Sequence, residues 1–172
     1  MKFIFILLLS LSVYSGPKKM NDIQLNTTDG KKITLDSYKE KTVLIVNIAT
    51  RCGYTGQLAD LETIFAKYKS KGLVVIGLPS NDFGSQTPED DKNIEKFCRL
   101  KYGTSFPILK KSKVTGPEKH PLIKELLAKT NGAEISWNFE KFLINKDGSV
   151  TRFLSGVSPT SKTFTDYLAK SL

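Results

Sequence analysis

Two largely apolar runs, residues 43–49 and 73–78, dominate the hydrophobic pattern of the chain. Rich in Val, Ile and Leu, each reads as a strand buried on both faces. Between them Leu58, Leu61, Ile64, Phe65 and Tyr68 recur at helical spacing and predict an amphipathic helix over 57–70, ended by Gly72. A short alternating piece, Lys31 to Leu35, follows the turn Thr28-Asp29-Gly30 and predicts a small hairpin in the 20s and early 30s. Beyond the second strand a loop runs from Pro79 to Pro88. Thr87-Pro88-Glu89-Asp90 then opens a helix whose inner face holds Ile94, Phe97 and Cys98, with Leu100 nearby. Phe106-Pro107-Ile108 is a short extended piece, and His120-Pro121 starts a helix carrying Leu122, Ile123, Leu126 and Leu127. Residues 141–144 and 149–153 flank Asn145-Lys146-Asp147-Gly148, a strong hairpin signal, and Phe164, Tyr167 and Leu168 mark a last helix from about 161. Strand, helix, strand, helix, hairpin, helix gives an α/β fold: a mixed central sheet flanked by helices.

The first residues follow another pattern. Lys2 precedes an apolar stretch from Phe3 to Leu9 that continues as Ser10-Leu11-Ser12-Val13, and Val13 and Ser15 suit cleavage before Gly16. Residues 1–15 therefore read as a secretory signal peptide, too short to span a bilayer comfortably, and 16–172 as one domain of an exported, periplasmic or secreted protein.

Composition changes little in this picture. Hydrophobic residues make up 40% and charged residues 25% of the 172, the balance of a soluble globular protein. The net charge of +9 comes from scattered lysines with no nucleic-acid motif around them. A solvated basic surface is the simplest reading; attraction to anionic membrane surfaces or acidic partners is the sharper one. One His and two separated Cys give no metal site, and His120 is placed to cap a helix.

The candidate chemistry lies in the cysteines. Cys52 sits in the turn Thr50 to Gly56, after a core strand and just before a helix. Free N–H groups and the helix dipole favour a thiolate there, and open α/β sheets place their sites at this end of a central strand. Thr55 stands where a Cys-x-x-Cys motif needs its second cysteine, which argues against a thiol-disulfide oxidoreductase.

Four segments together carry a resemblance to a known family: Asn47-Ile48-Ala49-Thr50-Arg51-Cys52-Gly53-Tyr54-Thr55, Pro79 to Pro88, Tyr102-Gly103-Thr104-Ser105-Phe106-Pro107, and Ile135-Ser136-Trp137-Asn138-Phe139-Glu140-Lys141-Phe142-Leu143. From about residue 21 onward the chain resembles the glutathione peroxidases, specifically their thioredoxin-dependent, two-cysteine, non-selenium branch. The resemblance implies a thioredoxin-like fold with an N-terminal hairpin. It implies a peroxidatic Cys52 whose tetrad is completed by Gln86, Trp137 and Asn138, neutral donors able to stabilise a thiolate without binding it too firmly.

The same likeness makes Cys98, 98 − 52 = 46 residues on, a resolving cysteine that closes a disulfide with the Cys52 sulfenic acid. On residue type alone Cys98 also fits a buried structural thiol or a permanent disulfide. The implied partners are hydrogen peroxide or organic and lipid hydroperoxides, and a thioredoxin-like reductant rather than glutathione, with no cofactor. Only one helix and a turn lie between Pro117 and Trp137, where tetrameric members carry an interface loop, so a monomer with an open site is expected, with peripheral contact to membrane lipid. Two departures stand out: Asp82 replaces a Gln and Thr87 a Glu of the family loop, and a carboxylate near Cys52 would slow thiolate formation. A peroxide sensor or thiol-disulfide relay without turnover, and an exported binding protein with a structural disulfide, use the same two cysteines.

Overall fold

A computed structural model describes residues 19–172; the expected leader at 1–15 lies outside the described residues. The chain forms a small antiparallel ribbon, β1 (Leu25–Asn26) with β2 (Lys32–Ile33), and a four-stranded sheet. That sheet comprises β3 (Thr42–Ile48), β4 (Leu73–Pro79), β5 (Lys141–Ile144) and β6 (Val150–Phe153), in the spatial order β4-β3-β5-β6. β3 pairs parallel with β4 and antiparallel with β5, so the sheet is mixed as the element order predicts. Four helices complete the fold: α1 (Gln57–Tyr68), α2 (Asp91–Tyr102), α3 (Pro121–Ala128) and α4 (Lys162–Ser171).

Every residue of β3 is buried, because both faces of the sheet are covered. Leu44, Val46 and Ile48 point to one side, into a core shared with Leu58 and Leu61 of α1, Ile94 and Cys98 of α2, and Phe164 of α4. Val43 and Ile45 point to the other, where Leu122 and Leu126 of α3 meet Leu25 and Leu35 of the N-terminal segment. The period of two along the strand thus sorts one apolar run into two half-cores. Segment 106–109 runs beside β4: Gly77 N–H donates to the Pro107 carbonyl at 3.0 Å and Leu109 N–H to the Gly77 carbonyl at 2.8 Å. A Cβ at Gly77 would stand 2.9 Å from Ile48 Cδ1, so a larger residue here would push the end of that side chain aside.

Two expectations need correction. α2 starts at Asp91, not in the first turn after Pro88, because the Asp90 carboxylate accepts the Asn93 N–H at 2.8 Å and caps the helix there. Leu100 does not join the inner face of α2 but is 76% exposed. At about 100° per residue it lies roughly 200° from Cys98 around the helix, on the opposite side.

Candidate functional site

Cys52 lies four residues beyond the carboxyl end of β3, the strand at the middle of the sheet's parallel pair and its antiparallel partner. The turn that holds it is closed by Thr55. The Cys52 N–H donates to Thr55 Oγ1 at 2.9 Å, the Thr55 N–H donates to the Cys52 carbonyl at 3.0 Å, and the Thr55 hydroxyl donates to the Ala49 carbonyl at 3.0 Å. Cys52 is 9% exposed. Sγ accepts one hydrogen bond among the described residues, from the Tyr54 N–H at 3.4 Å.

The loop after β4 comes to this turn from the side. The Gln86 carbonyl accepts the Arg51 N–H at 2.9 Å, the Thr50 N–H at 3.2 Å and the Thr50 hydroxyl at 3.2 Å. Ser85 and Gly84 just before it both have positive φ, 52° and 58°, so the loop doubles back tightly enough to present that carbonyl. Glu89 fastens the same two residues by side chain: Thr50 Oγ1 donates to Oε2 at 2.6 Å and Arg51 Nε to Oε1 at 2.8 Å. Burial works to raise the Glu89 pKa, but these bonds together hold it below the usual carboxylate range.

The third strand of chain arrives from the segment before β5. Asn138 is fully buried, and its Nδ2 donates to Gln86 Oε1 at 3.0 Å. With its oxygen engaged, the Gln86 side chain keeps its Nε2 donors free of protein partners among the described residues. Trp137 is 39% exposed; its carbonyl accepts from Asn47 Nδ2 at 3.2 Å, and its ring packs on Phe83 with centroids 5.7 Å apart. The structure therefore joins Gln86 to Asn138 directly and brings Trp137 alongside through β3 and Phe83. Tyr54, not one of these three side chains, is the donor to the resting sulfur.

Cys98 is fully buried on α2, in the same half-core as Cys52, and both thiols are free. Burial pushes its pKa up to about 11, so at rest it is an unreactive thiol. The Asp82 carboxylate is engaged with another segment: its Oδ2 accepts the Val114 N–H at 2.6 Å, the Thr115 N–H at 3.0 Å and the Thr115 hydroxyl at 3.2 Å. The carboxylate is spent on fastening the loop to residues 114–115.

Sequence reasoning missed the residues that hold the Trp137–Asn138 segment. Glu140, fully buried, accepts the Ser136 N–H and hydroxyl at 2.7 and 2.6 Å and pairs with Arg152 at 2.6 Å. Arg152 in turn donates to the carbonyls of Ala133 at 2.6 Å and Glu134 at 2.8 Å. Lys141, also fully buried, donates to the Phe139 carbonyl at 2.8 Å. Two adjacent charges at the start of an apolar strand were the available signal.

This arrangement, a mixed sheet flanked by helices with a free cysteine just beyond its central parallel strand, defines a thioredoxin-like fold. The fold is shared with a solved thiol:disulfide interchange protein of the thioredoxin family from Chlorobium tepidum TLS, with a TM-score of 0.65 over 91% of this chain and 96% of that one, at 23% identity. Within that class, residues 20–127 match the glutathione peroxidase family model, and the chain belongs to the glutathione peroxidase family. It is 44% identical over 137 residues to the glutathione peroxidase-like peroxiredoxin HYR1 of Saccharomyces cerevisiae, covering 77% of this chain and 84% of that protein. It is 38% identical over 136 residues to the hydroperoxy fatty acid reductase gpx1 of Synechocystis sp., covering 74% and 80%.

Proposed function

We propose that the protein is a thiol peroxidase that reduces hydrogen peroxide and organic hydroperoxides at Cys52 and is recycled by a thioredoxin-like dithiol. The observation that carries this reading is that Gln86 links two distant segments at the Cys52 turn: its side chain meets Asn138 at 3.0 Å, and its carbonyl accepts from Thr50 and Arg51, the residues just before Cys52. The names of the two relatives support it. The Cys52 thiolate attacks one peroxide oxygen, the O–O bond breaks, and the alcohol or water leaves with a proton. Sulfur is thereby oxidised to the sulfenic acid. The free donors of Gln86 and the Trp137 indole serve the oxygen on which negative charge develops. The Cys98 thiolate then attacks the sulfenic sulfur, water leaves, and a disulfide forms; a dithiol reductant takes both oxidising equivalents and restores two thiols.

Large apolar side chains left exposed beside the site, Tyr54 at 40% and Trp137 at 39%, suit apolar hydroperoxides and contact with a lipid surface. The pattern of residues 2–15 supports export, and the single helix and turn between Pro117 and Trp137 support a monomer.

One experiment tests the chemistry. Reduced protein receives one equivalent of hydroperoxide, and mass spectrometry follows both cysteines; steady-state turnover is then measured with a thioredoxin system. Sulfenic acid at Cys52, a 52–98 disulfide and sustained turnover are expected, and Cys98→Ser is expected to complete one round and stall. Disulfide formation without turnover would move the protein to the peroxide-sensor class. An unoxidised Cys52 would remove the peroxidase reading altogether.

A further inference from the structure

Lys141 is a charged side chain with no exposed surface at the first position of β5. Strand alternation places it beside Leu143 on the side of the sheet covered by α1 and α4. Nζ donates to the Phe139 carbonyl at 2.8 Å and to the Ser155 carbonyl at 3.4 Å. Gln57, the first residue of α1, donates to the same Ser155 carbonyl at 2.8 Å. An ammonium is costly in such a place, and a methionine of similar length would fill it without that cost. What the charge does there is visible two residues away. Phe139 has φ +66°, a left-handed conformation that an L-residue with a large buried side chain adopts only under constraint. Both of its backbone groups are pinned: its N–H donates to the Asn47 carbonyl at 2.7 Å, and its carbonyl is the one held by Lys141. The two residues just before this turn are Trp137 and Asn138.

We propose that Lys141 is a positioning residue for the Cys52 site, holding the Phe139 carbonyl and thereby the left-handed turn that sets the Asn138 amide and the Trp137 indole against the Gln86 loop. What the turn accomplishes chemically rests on the peroxidase reading; that Lys141 holds the turn does not. The charged groups that bear on the ammonium are Glu140, the residue before it in the chain, and Asp60 from α1, both favouring its charged form. Across from it stand Val46 of β3 and Phe153 of β6, and α4 contributes Phe164 and Leu168 to the same side. Burial outweighs the two carboxylates and draws the Lys141 pKa down to about 8, so the device loses its charge just above neutral pH.

Trp137 is the single tryptophan of the chain, so its emission reads the turn itself. The titration uses the Cys52→Ser protein, where no thiolate can quench the indole. An emission step centred near pH 8 is expected; it is absent in Lys141→Met and displaced upward in Lys141→Arg, which stays charged. With Cys52 present, Lys141→Met is expected to slow sulfenic acid formation at neutral pH by about tenfold to a hundredfold, and Lys141→Arg to recover most of the loss. A folded Lys141→Met protein with unchanged emission and an unchanged oxidation rate overturns the proposal. Should that variant not fold, the Cys52→Ser titration decides alone, and a flat emission from about pH 7 to 9 overturns it. If Cys52 proves inert to peroxide while the emission step is present, the peroxidase reading fails and the role of Lys141 stands.

Discussion

Cys98 is the residue whose resting state the structure constrains most sharply, and its reactivity can be worked out in advance. Its thiol pKa rises from an ordinary 9.0 to about 11 on burial in α2. At pH 7.5 that lowers the thiolate fraction from roughly 3% to about 0.03%, a hundredfold loss in reactivity before access is considered. Access adds to it, since the side chain has no exposed surface and a reagent waits for α2 to open. The assay is alkylation of the reduced protein with iodoacetamide, quenched over time and resolved by peptide mass spectrometry. Cys98 is expected to label at least about a hundredfold slower in the native protein than in guanidinium, while its native rate keeps climbing with pH past 9.

A second readout comes from linkage. Between pH 9 and 11 the folded Cys98 keeps its proton while the unfolded one loses it, so the folded state binds more protons and stability falls as pH rises. The full effect is about 3 kcal/mol and vanishes in Cys98→Ala, so the stability difference between the two proteins should change by up to that amount across the window. Native and denatured labelling rates within threefold of each other, with parallel stability curves, would refute the reasoning that α2 shields this thiol at rest.

Two further outcomes follow from the polar contacts. Glu140→Ala leaves Arg152 buried beside an empty place and strips Ser136 of its acceptor; a loss of about 3–5 kcal/mol is expected in denaturant unfolding, against a smaller one for Glu140→Gln. Asp82→Ala removes three acceptor bonds to residues 114–115 and should cost about 1–2 kcal/mol in the same measurement. Because the Asp82 carboxylate is engaged with residues 114–115, the peroxide oxidation rate of that variant should stay close to that of the parent; a clear acceleration would mean its charge reaches the sulfur after all.

The sheet and helices were legible because each apolar run carries its own period. Residues 43–49 read as a strand covered on both sides, and alternate members do enter the two half-cores. The hairpin at Asp147-Gly148 was equally plain, Gly148 taking the positive φ of 80° that its turn requires. Leu100 was misread because its type was weighed without its angle around the helix. Pro88 was misread because proline suits a first turn in general, while here the cap two residues later sets the boundary. Cys52, Gln86, Trp137 and Asn138 could be named from their segments, but not the bonds among them. The Gln86 main-chain carbonyl that fixes Thr50 and Arg51 has no signature in the sequence, since every residue owns a carbonyl. Nor could the direction of the Asp82 carboxylate be read, because its donors lie on a segment more than 30 residues away.

The proposed 52–98 disulfide requires α2 to open, and the bonds at the two ends of the helix differ in what that opening would disturb. At the amino end the helix is tied to the Cys52 turn: Lys111 Nζ donates to the carbonyls of Thr87 and Glu89 at 3.1 and 2.5 Å, its N–H donates to Asp91 Oδ1 at 2.7 Å, and Glu89 grips Thr50 and Arg51. Unwinding from that end would loosen the turn that holds the reacting sulfur. At the carboxyl end Leu100 adds nothing to the core, and the chain is held by the Gly103 and Thr104 N–H groups and by Arg99, which donates to the carbonyls of Thr104 at 2.8 Å and Phe106 at 2.7 Å. Cys98 lies in this half of the helix, within five residues of its last, Tyr102. Releasing the last turn and a half frees the thiol while the amino-terminal ties stay intact, so opening from the carboxyl end lets Cys98 leave the core without dismantling the site it is to meet.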